Sequence, residues 1–369
     1  MGKYAKSIFI FPFNIGAWVY FFSILILLRY PSNIINLFRV RLFLRRLVFV
    51  NTAIQEKAVT VLGRVTQEKS DKMALIIPTI NREKLLRRLL KSLEKQDVHF
   101  EQIIIVDAGN ISPDVFRSEF PGLKIDYFKS RTSSLTLQRN IGINMLKNDV
   151  TLVCFFDDDI VVEKDAFKIM LEFWQDNSDE VGGVAFNIKN MVLKKTAVIK
   201  EVFLTGNNEQ GKVMRSGYGS MLSPVRNDIF TDWIFGGATV WRRKILDEFK
   251  FDEWFGGYGF GEDLDFSYRV GKKYKLAVIS QAKVQHLKED DSLMNNYLFG
   301  KMQVVNRYYF VLKNEELSRV LYCLSSFGQA SENLYLGLRS KKNRKMYLDR
   351  FLGNLSGFAY ISFNQLRKR

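Results

Sequence analysis

Val150-Thr151-Leu152-Val153-Cys154-Phe155-Phe156-Asp157-Asp158-Asp159 decides the fold. Seven apolar or β-favouring residues run straight into three carboxylates. A continuous run of this kind, with no polar alternation, fits a strand covered on both faces, as in the centre of an α/β sheet. Ligands of such sheets bind beyond the carboxyl ends of the strands, where the aspartates fall. Three adjacent carboxylates repel one another unless a cation, a proton or several donors offset the charge. Oxygen ligands in this arrangement suit Mg or Mn bridging to a diphosphate. An acidic helix start is the competing reading, although the dipole accounts for one aspartate more easily than for three.

Outward from this strand, apolar strands alternate with amphipathic helices over residues 71–290, which predicts a mostly parallel central sheet. Met73-Ala74-Leu75-Ile76-Ile77-Pro78 reads as a strand. Leu85, Leu86, Leu89, Leu90 and Leu93 line one face of a helix over 83–95. Further strands are expected over 102–107, 124–128, 181–186, 236–241 and 276–279. Helices are expected over 134–147, 165–175 and 263–272, with loops around a site over 188–233.

A second acidic group is Gly261-Glu262-Asp263-Leu264-Asp265, preceded by Gly256-Gly257-Tyr258-Gly259-Phe260. The glycines allow a loop that closes over a substrate, and a base at the loop's end can take a proton from a hydroxyl. A helix start with an Asp265 to Arg269 pair is the plainer alternative. Trp233, Trp254 and Tyr258 offer ring faces on which a ligand can stack, yet aromatic residues at this density usually build core.

The chain has 369 residues, 47% of them hydrophobic, and two cysteines, Cys154 and Cys323. That is ample for a core, and it excludes a disulfide framework. The net charge is +16, distributed as +8 over residues 1–70, +1 over 71–287 and +7 over 288–369. A neutral middle with basic, apolar flanks fits an anionic membrane rather than nucleic acid. Residues 7–28 contain no charge and have the length of a membrane helix, interrupted by Pro12 and Asn14. Residues 34–50 carry Arg39, Arg41, Arg45 and Arg46 among apolar positions, as in a basic amphipathic helix. The organisation expected is a membrane-attachment segment over 1–70, a catalytic domain over 71–290, and a helical, basic, membrane-proximal region over 291–369. The arginines that follow residue 28 put the catalytic domain on the cytoplasmic side.

Five segments, Met73 to Arg82, Ile105-Val106-Asp107-Ala108-Gly109, Gln138-Arg139-Asn140-Ile141-Gly142, the aspartate triplet and Gly261-Glu262-Asp263, occur in an order that resembles family 2 glycosyltransferases with the GT-A fold. The resemblance covers about residues 72–290. It implies an α/β nucleotide-sugar-binding fold and metal-dependent, inverting transfer from a nucleotide-diphosphate sugar, with a UDP-sugar the expected donor. The expected acceptor is a hydroxyl of a lipid-linked glycan in cell-surface glycan assembly. By the same resemblance Asp263 is the catalytic base, helped by Glu262, and Asp157, Asp159 and His286 hold Mg or Mn. Pro78, Thr79, Arg82, Asp107, Arg131, Asp158, Gly236 and Gly237 bind the donor. Ala108 departs from the pattern, since members often carry a second acid there. A metal-dependent nucleotidyltransferase is the rival, but it would place a Gly-rich basic loop after the first strand, which Thr79-Ile80-Asn81-Arg82 is not. A non-catalytic membrane adaptor would leave the clustered acids without a purpose.

Overall fold

The computed structural model describes residues 71–176, 180–192, 196–257, 259–287 and 295–364. The hydrophobic stretch 7–28, the amphipathic segment 34–50 and Tyr258 lie outside them. A nine-stranded sheet organises the chain. Its strands are β1 (Met73–Thr79), β2 (Phe100–Asp107), β3 (Ile125–Lys129), β4 (Leu152–Phe156), β5 (Ile160–Val162), β6 (Val181–Ile188), β7 (Ile229–Thr231), β8 (Ala238–Arg242) and β9 (Lys275–His286). The order is β3-β2-β1-β4-β8-β6-β9-β5, with β7 also paired to β9.

The expectation of a mostly parallel sheet is corrected here: the sheet is mixed. β1, β2, β3 and β4 pair in parallel, as do β6 and β9. The pairs β4–β8, β6–β8, β5–β9 and β7–β9 are antiparallel. Only Asp157 to Asp159 separate β4 from β5, too few for a parallel crossover, and both edges of β4 are taken by β1 and β8, so β5 pairs with β9 instead. An apolar run records burial and carries no strand direction.

Along β1, Leu75 and Ile77 join one core, while Ala74 and Ile76 join the other, on the opposite face of the sheet. The first core is covered by α1 (Glu83–Leu93), α2 (Pro113–Glu119) and α4 (Ala166–Asp176), through Leu86, Leu89, Phe116, Phe167 and Met170. Burying five leucines of α1 supplies roughly 1.5–3 kcal/mol each, less the cost of ordering them. The second core is covered by α3 (Leu135–Asn144), α6 (Arg243–Glu248), α7 (Glu262–Gly271) and α8 (Asn296–Lys313). Val304, Val305, Phe310 and Val311 bring α8 into that core, so it packs as part of the sheet domain. α9 (Arg319–Arg339) and α10 (Arg344–Asn364) complete the C-terminal helices. No described helix is long and apolar enough to cross a membrane. Residues 188–233, expected as loops, also hold a short helix, α5 (Val198–Val202), and β7.

Candidate active site

A cavity of about 830 Å³ opens at the carboxyl ends of β1 and β4. Pro78, Thr79 and Arg82 line one side, Asp157, Asp158 and Asp159 the floor, and Glu262, Asp263 and His286 the remainder of the polar surface. Nine of the residues assigned site roles from the sequence therefore meet in one place, from four separate segments.

Each aspartate of the triplet has a different environment. Asp158 is turned towards β1: Thr79 Oγ1 donates to its Oδ2 at 2.6 Å and Arg82 Nη1 to its Oδ1 at 3.1 Å. Burial pushes its carboxyl up to about 6, against the opposing effects of Thr79 and Arg82. Asp158 thus ties the end of β4 to the end of β1. Asp159 precedes β5, and the pairing of Ile160 with His286 brings the end of β9 alongside. Leu287 N donates to Asp159 O at 2.8 Å, and His286 Nε2 lies 3.1 Å from Asp159 Oδ1. That oxygen is buried and has no hydrogen-bond partner among the described residues.

Two ligands set at right angles on an ion with bonds of about 2.1 Å sit about 3 Å apart, which is the Asp159–His286 spacing. The spacing is compatible with Mg or Mn and equally with a direct hydrogen bond between the two side chains. Among the described residues no group of three or more His, Cys, Asp or Glu is placed to hold a metal ion by itself. One or two protein ligands are the usual provision when substrate phosphates complete the shell.

Asp157 faces the other way, to Arg139. This arginine, on α3, is 1% exposed and donates through Nη2 to Asp157 Oδ1 at 3.1 Å and through Nη1 to Glu262 Oε1 at 3.0 Å. The strand-end acids and the helix-start acids therefore share one cation. Burial would lower the pKa of Arg139, but Asp157, Glu262 and Asp263 outweigh it and the net shift is upward. Burial, reinforced by Asp263, pushes Glu262 up to about 8, so it holds a proton at neutral pH. Gly236 and Gly237 stand behind this cluster. A Cβ on Gly236 would come within 2.7 Å of Arg139 Nη1, and one on Gly237 would strike the Asp157 carboxylate. Side chains at these two positions would push the network apart.

Asp263 is the second residue of α7, which starts at Glu262 after Gly261, whose φ of 88° needs a glycine. Its Oδ1 accepts from Leu264 N at 2.7 Å and its Oδ2 from Gly236 N at 3.3 Å. Burial raises its pKa against these donors. A carboxylate held by backbone, facing a cavity and raised towards neutrality suits a general base. The Asp265–Arg269 pair exists as well, at 2.9 Å.

Four residues assigned to the donor are not among those lining the cavity: Gly236 and Gly237, which back the Arg139 cluster, and Asp107 and Arg131. Asp107 is fully buried, accepting from Gly109 N, Ile111 N and Tyr127 Oη at 2.6, 3.1 and 2.8 Å. Arg131 is exposed. Trp233 lines the cavity, whereas Trp254 stacks on Tyr309 with centroids 3.8 Å apart.

Sequence reasoning missed the role of Arg139, although Gln138-Arg139-Asn140 was quoted as a motif. Its signal was available: three long polar residues in a row inside a helix with little amphipathic pattern. All three are buried, and Gln138 Nε2 donates to the carbonyls of Thr79 and Val106, joining the ends of β1 and β2. It also missed Asn306, Arg307 and Phe310 of α8, which line the cavity from beyond residue 290.

Residues 74–235 match the family model described as glycosyl transferase family 2. The chain is 22% identical over 228 residues to the minor teichoic acid biosynthesis protein GgaB of Bacillus subtilis (strain 168), covering 59% of this chain and 23% of that protein. The chain thus spans less than a quarter of this relative's length. Among solved structures, GalNAc-T7 with UDP, GalNAc and Mn2+ superposes with a TM-score of 0.51 and 14% identity, over 80% of this chain and 58% of that one. S. aureus TarS 1-349 gives a TM-score of 0.48 and 15% identity, over 79% and 82%.

Proposed function

Since residues 74–235 belong to glycosyl transferase family 2 and the mixed sheet has the GT-A architecture, we propose that the cavity transfers a sugar from a nucleotide-diphosphate donor to an acceptor hydroxyl with inversion. The observation that carries this reading is the convergence of Asp159 with His286, and of Asp263 at the head of α7, on one cavity at the strand ends. Pro78, Thr79 and Arg82 receive the nucleotide end. Asp263 accepts the proton of the acceptor hydroxyl as that oxygen bonds to the anomeric carbon and the bond to the diphosphate breaks, releasing nucleoside diphosphate. Glu262, held by Arg139 beside Asp263, helps to orient the acceptor or the loop. Mg or Mn held by Asp159 and His286 would supply the positive charge that stabilises the leaving diphosphate.

A lipid-linked glycan acceptor and a cytoplasmic membrane face extend the proposal. Their supports are the basic, apolar flanks and exposed Val320, Leu338, Leu352 and Phe363 on α9 and α10. Protease added to sealed cells should leave the catalytic domain intact, and its digestion there would reverse the orientation. For the reaction, the test is incubation of the full chain with a panel of nucleotide sugars and Mg or Mn, following nucleoside diphosphate release. Release from one donor, abolished by chelator and restored by metal, is expected. Release of pyrophosphate instead would identify a nucleotidyltransferase, and full activity in excess chelator would remove the metal.

A further inference from the structure

Arg307 of α8 lines the cavity together with Trp233, Phe260 and Gly219, segments far in sequence from the β1 end that carries Arg82. Its Nη1 donates to Gly217 O at 2.9 Å, and its guanidinium carbon stands 3.5 Å from the centroid of the Tyr218 ring. Nε is buried and has no hydrogen-bond partner. Among the described residues no carboxylate pairs with it. By contrast Arg82 holds Asp158 and Asp159, and Arg139 holds Asp157 and Glu262. Burial lowers the pKa of Arg307 from the usual arginine value, with only Tyr218 and Tyr322 acting against it. A desolvated cation is costly, and a ring face and one carbonyl offset only part of that cost.

We propose that Arg307 recognises an oxyanion, a phosphate or a carboxylate, carried by the acceptor close to its reacting hydroxyl. This rests on the glycosyltransferase reading of the cavity. The guanidinium fork matches either group with paired, charge-assisted hydrogen bonds. The acceptor, rather than the donor, follows from what holds the arginine. The adjacent Asn306 donates through Nδ2 to Phe260 O at 2.8 Å, and the Phe260 ring lies 6.0 Å from the Arg307 guanidinium carbon. Phe260 directly precedes Gly261-Glu262-Asp263, so the free cation belongs to the side of the base. The donor diphosphate has its own provision in Arg82, Asp159 and His286.

The test is calorimetric titration of inorganic phosphate, and separately of acetate, into the full chain saturated with whichever nucleoside diphosphate it binds. Phosphate or acetate should bind the loaded protein, and Arg307→Met should weaken that binding about tenfold or more. Arg307→Lys, which keeps the charge and loses the fork, should weaken it severalfold. Nucleoside diphosphate affinity should stay within about twofold in both variants. Absence of phosphate and acetate binding to loaded wild type overturns the proposal without any variant, and so stands even if Arg307→Met fails to fold. A tenfold loss of nucleoside diphosphate affinity in the variants also overturns it, assigning the arginine to the donor. If no nucleoside diphosphate binds, the glycosyltransferase reading fails. The nucleotide-free titrations then decide Arg307: weaker binding in Arg307→Met upholds an oxyanion site and equal binding overturns it.

Discussion

The two acidic groups of the cavity are built on opposite principles. The aspartates after β4 sit at an edge where Arg82 is 37% exposed and is shared by Asp158 and Asp159, with Thr79 also on Asp158 and His286 beside Asp159. Glu262 and Asp263 start a helix against the enclosed Arg139, whose single charge is shared with Asp157. At the strand end, the partners of Asp158 and Asp159 come from two segments, Thr79 with Arg82 and His286 with Leu287. At the helix start, acids outnumber the cation, so one of them keeps a proton near neutrality. The first arrangement holds charge in place, and the second is poised to move a proton.

Asp263→Asn should test that contrast with the largest effect, a loss of about 10²- to 10⁴-fold in kcat with nucleotide affinity nearly unchanged. A larger loss in Glu262→Gln than in Asp263→Asn would exchange their roles. Arg139→Met removes the donor shared by Asp157 and Glu262 and should lower stability by about 1–3 kcal/mol in urea unfolding. A change below 1 kcal/mol would mean that the cation does not join the two groups.

The proton on Glu262 gives a pH signature. The folded carboxyl keeps its proton up to about 8, while the ordinary value of 4.5 applies after unfolding. Between those values the folded state binds the extra proton, so stability falls as pH rises through the window, by at most about 1.4 kcal/mol per pH unit. Relative to wild type, Glu262→Gln should flatten urea midpoints measured from pH 5 to 8, and parallel profiles would place the proton elsewhere. The smallest effect is expected for Arg131→Ala. That side chain is exposed and not among the residues lining the cavity, so nucleotide affinity should change by less than about twofold. A tenfold loss would return Arg131 to the donor site.

Local pattern made the strands legible, because continuous apolar runs record burial on both faces, and it made α1 legible through its leucine stripe. The acidic groups were legible because carboxylates after a buried strand or a glycine loop have few structural uses. Sheet direction was not, since β4 and β8 present similar apolar runs yet oppose each other. Nor was the pairing of Arg139 with Glu262 across 123 positions, which no local periodicity encodes. β9 was underestimated as Leu276 to Ile279 because its second half carries Ser280, Gln281, Lys283 and Gln285, polar residues on a strand reaching His286.

That length of β9 governs where the gene can change size. His286 ends a strand whose register is fixed by β6, β7 and β5 in turn. β9 shifts register against β6 between Ile279 and Lys283, but from Lys283 to His286 successive side chains alternate faces, so removing or adding one residue there turns the imidazole to the opposite face of the sheet, away from Asp159. Most single substitutions in β9 preserve this alternation, and a one-codon deletion does not. The loops between β6 and β7 can absorb insertions at little cost, whereas the stretch of β9 from Lys283 to His286 admits variation in spelling and none in length.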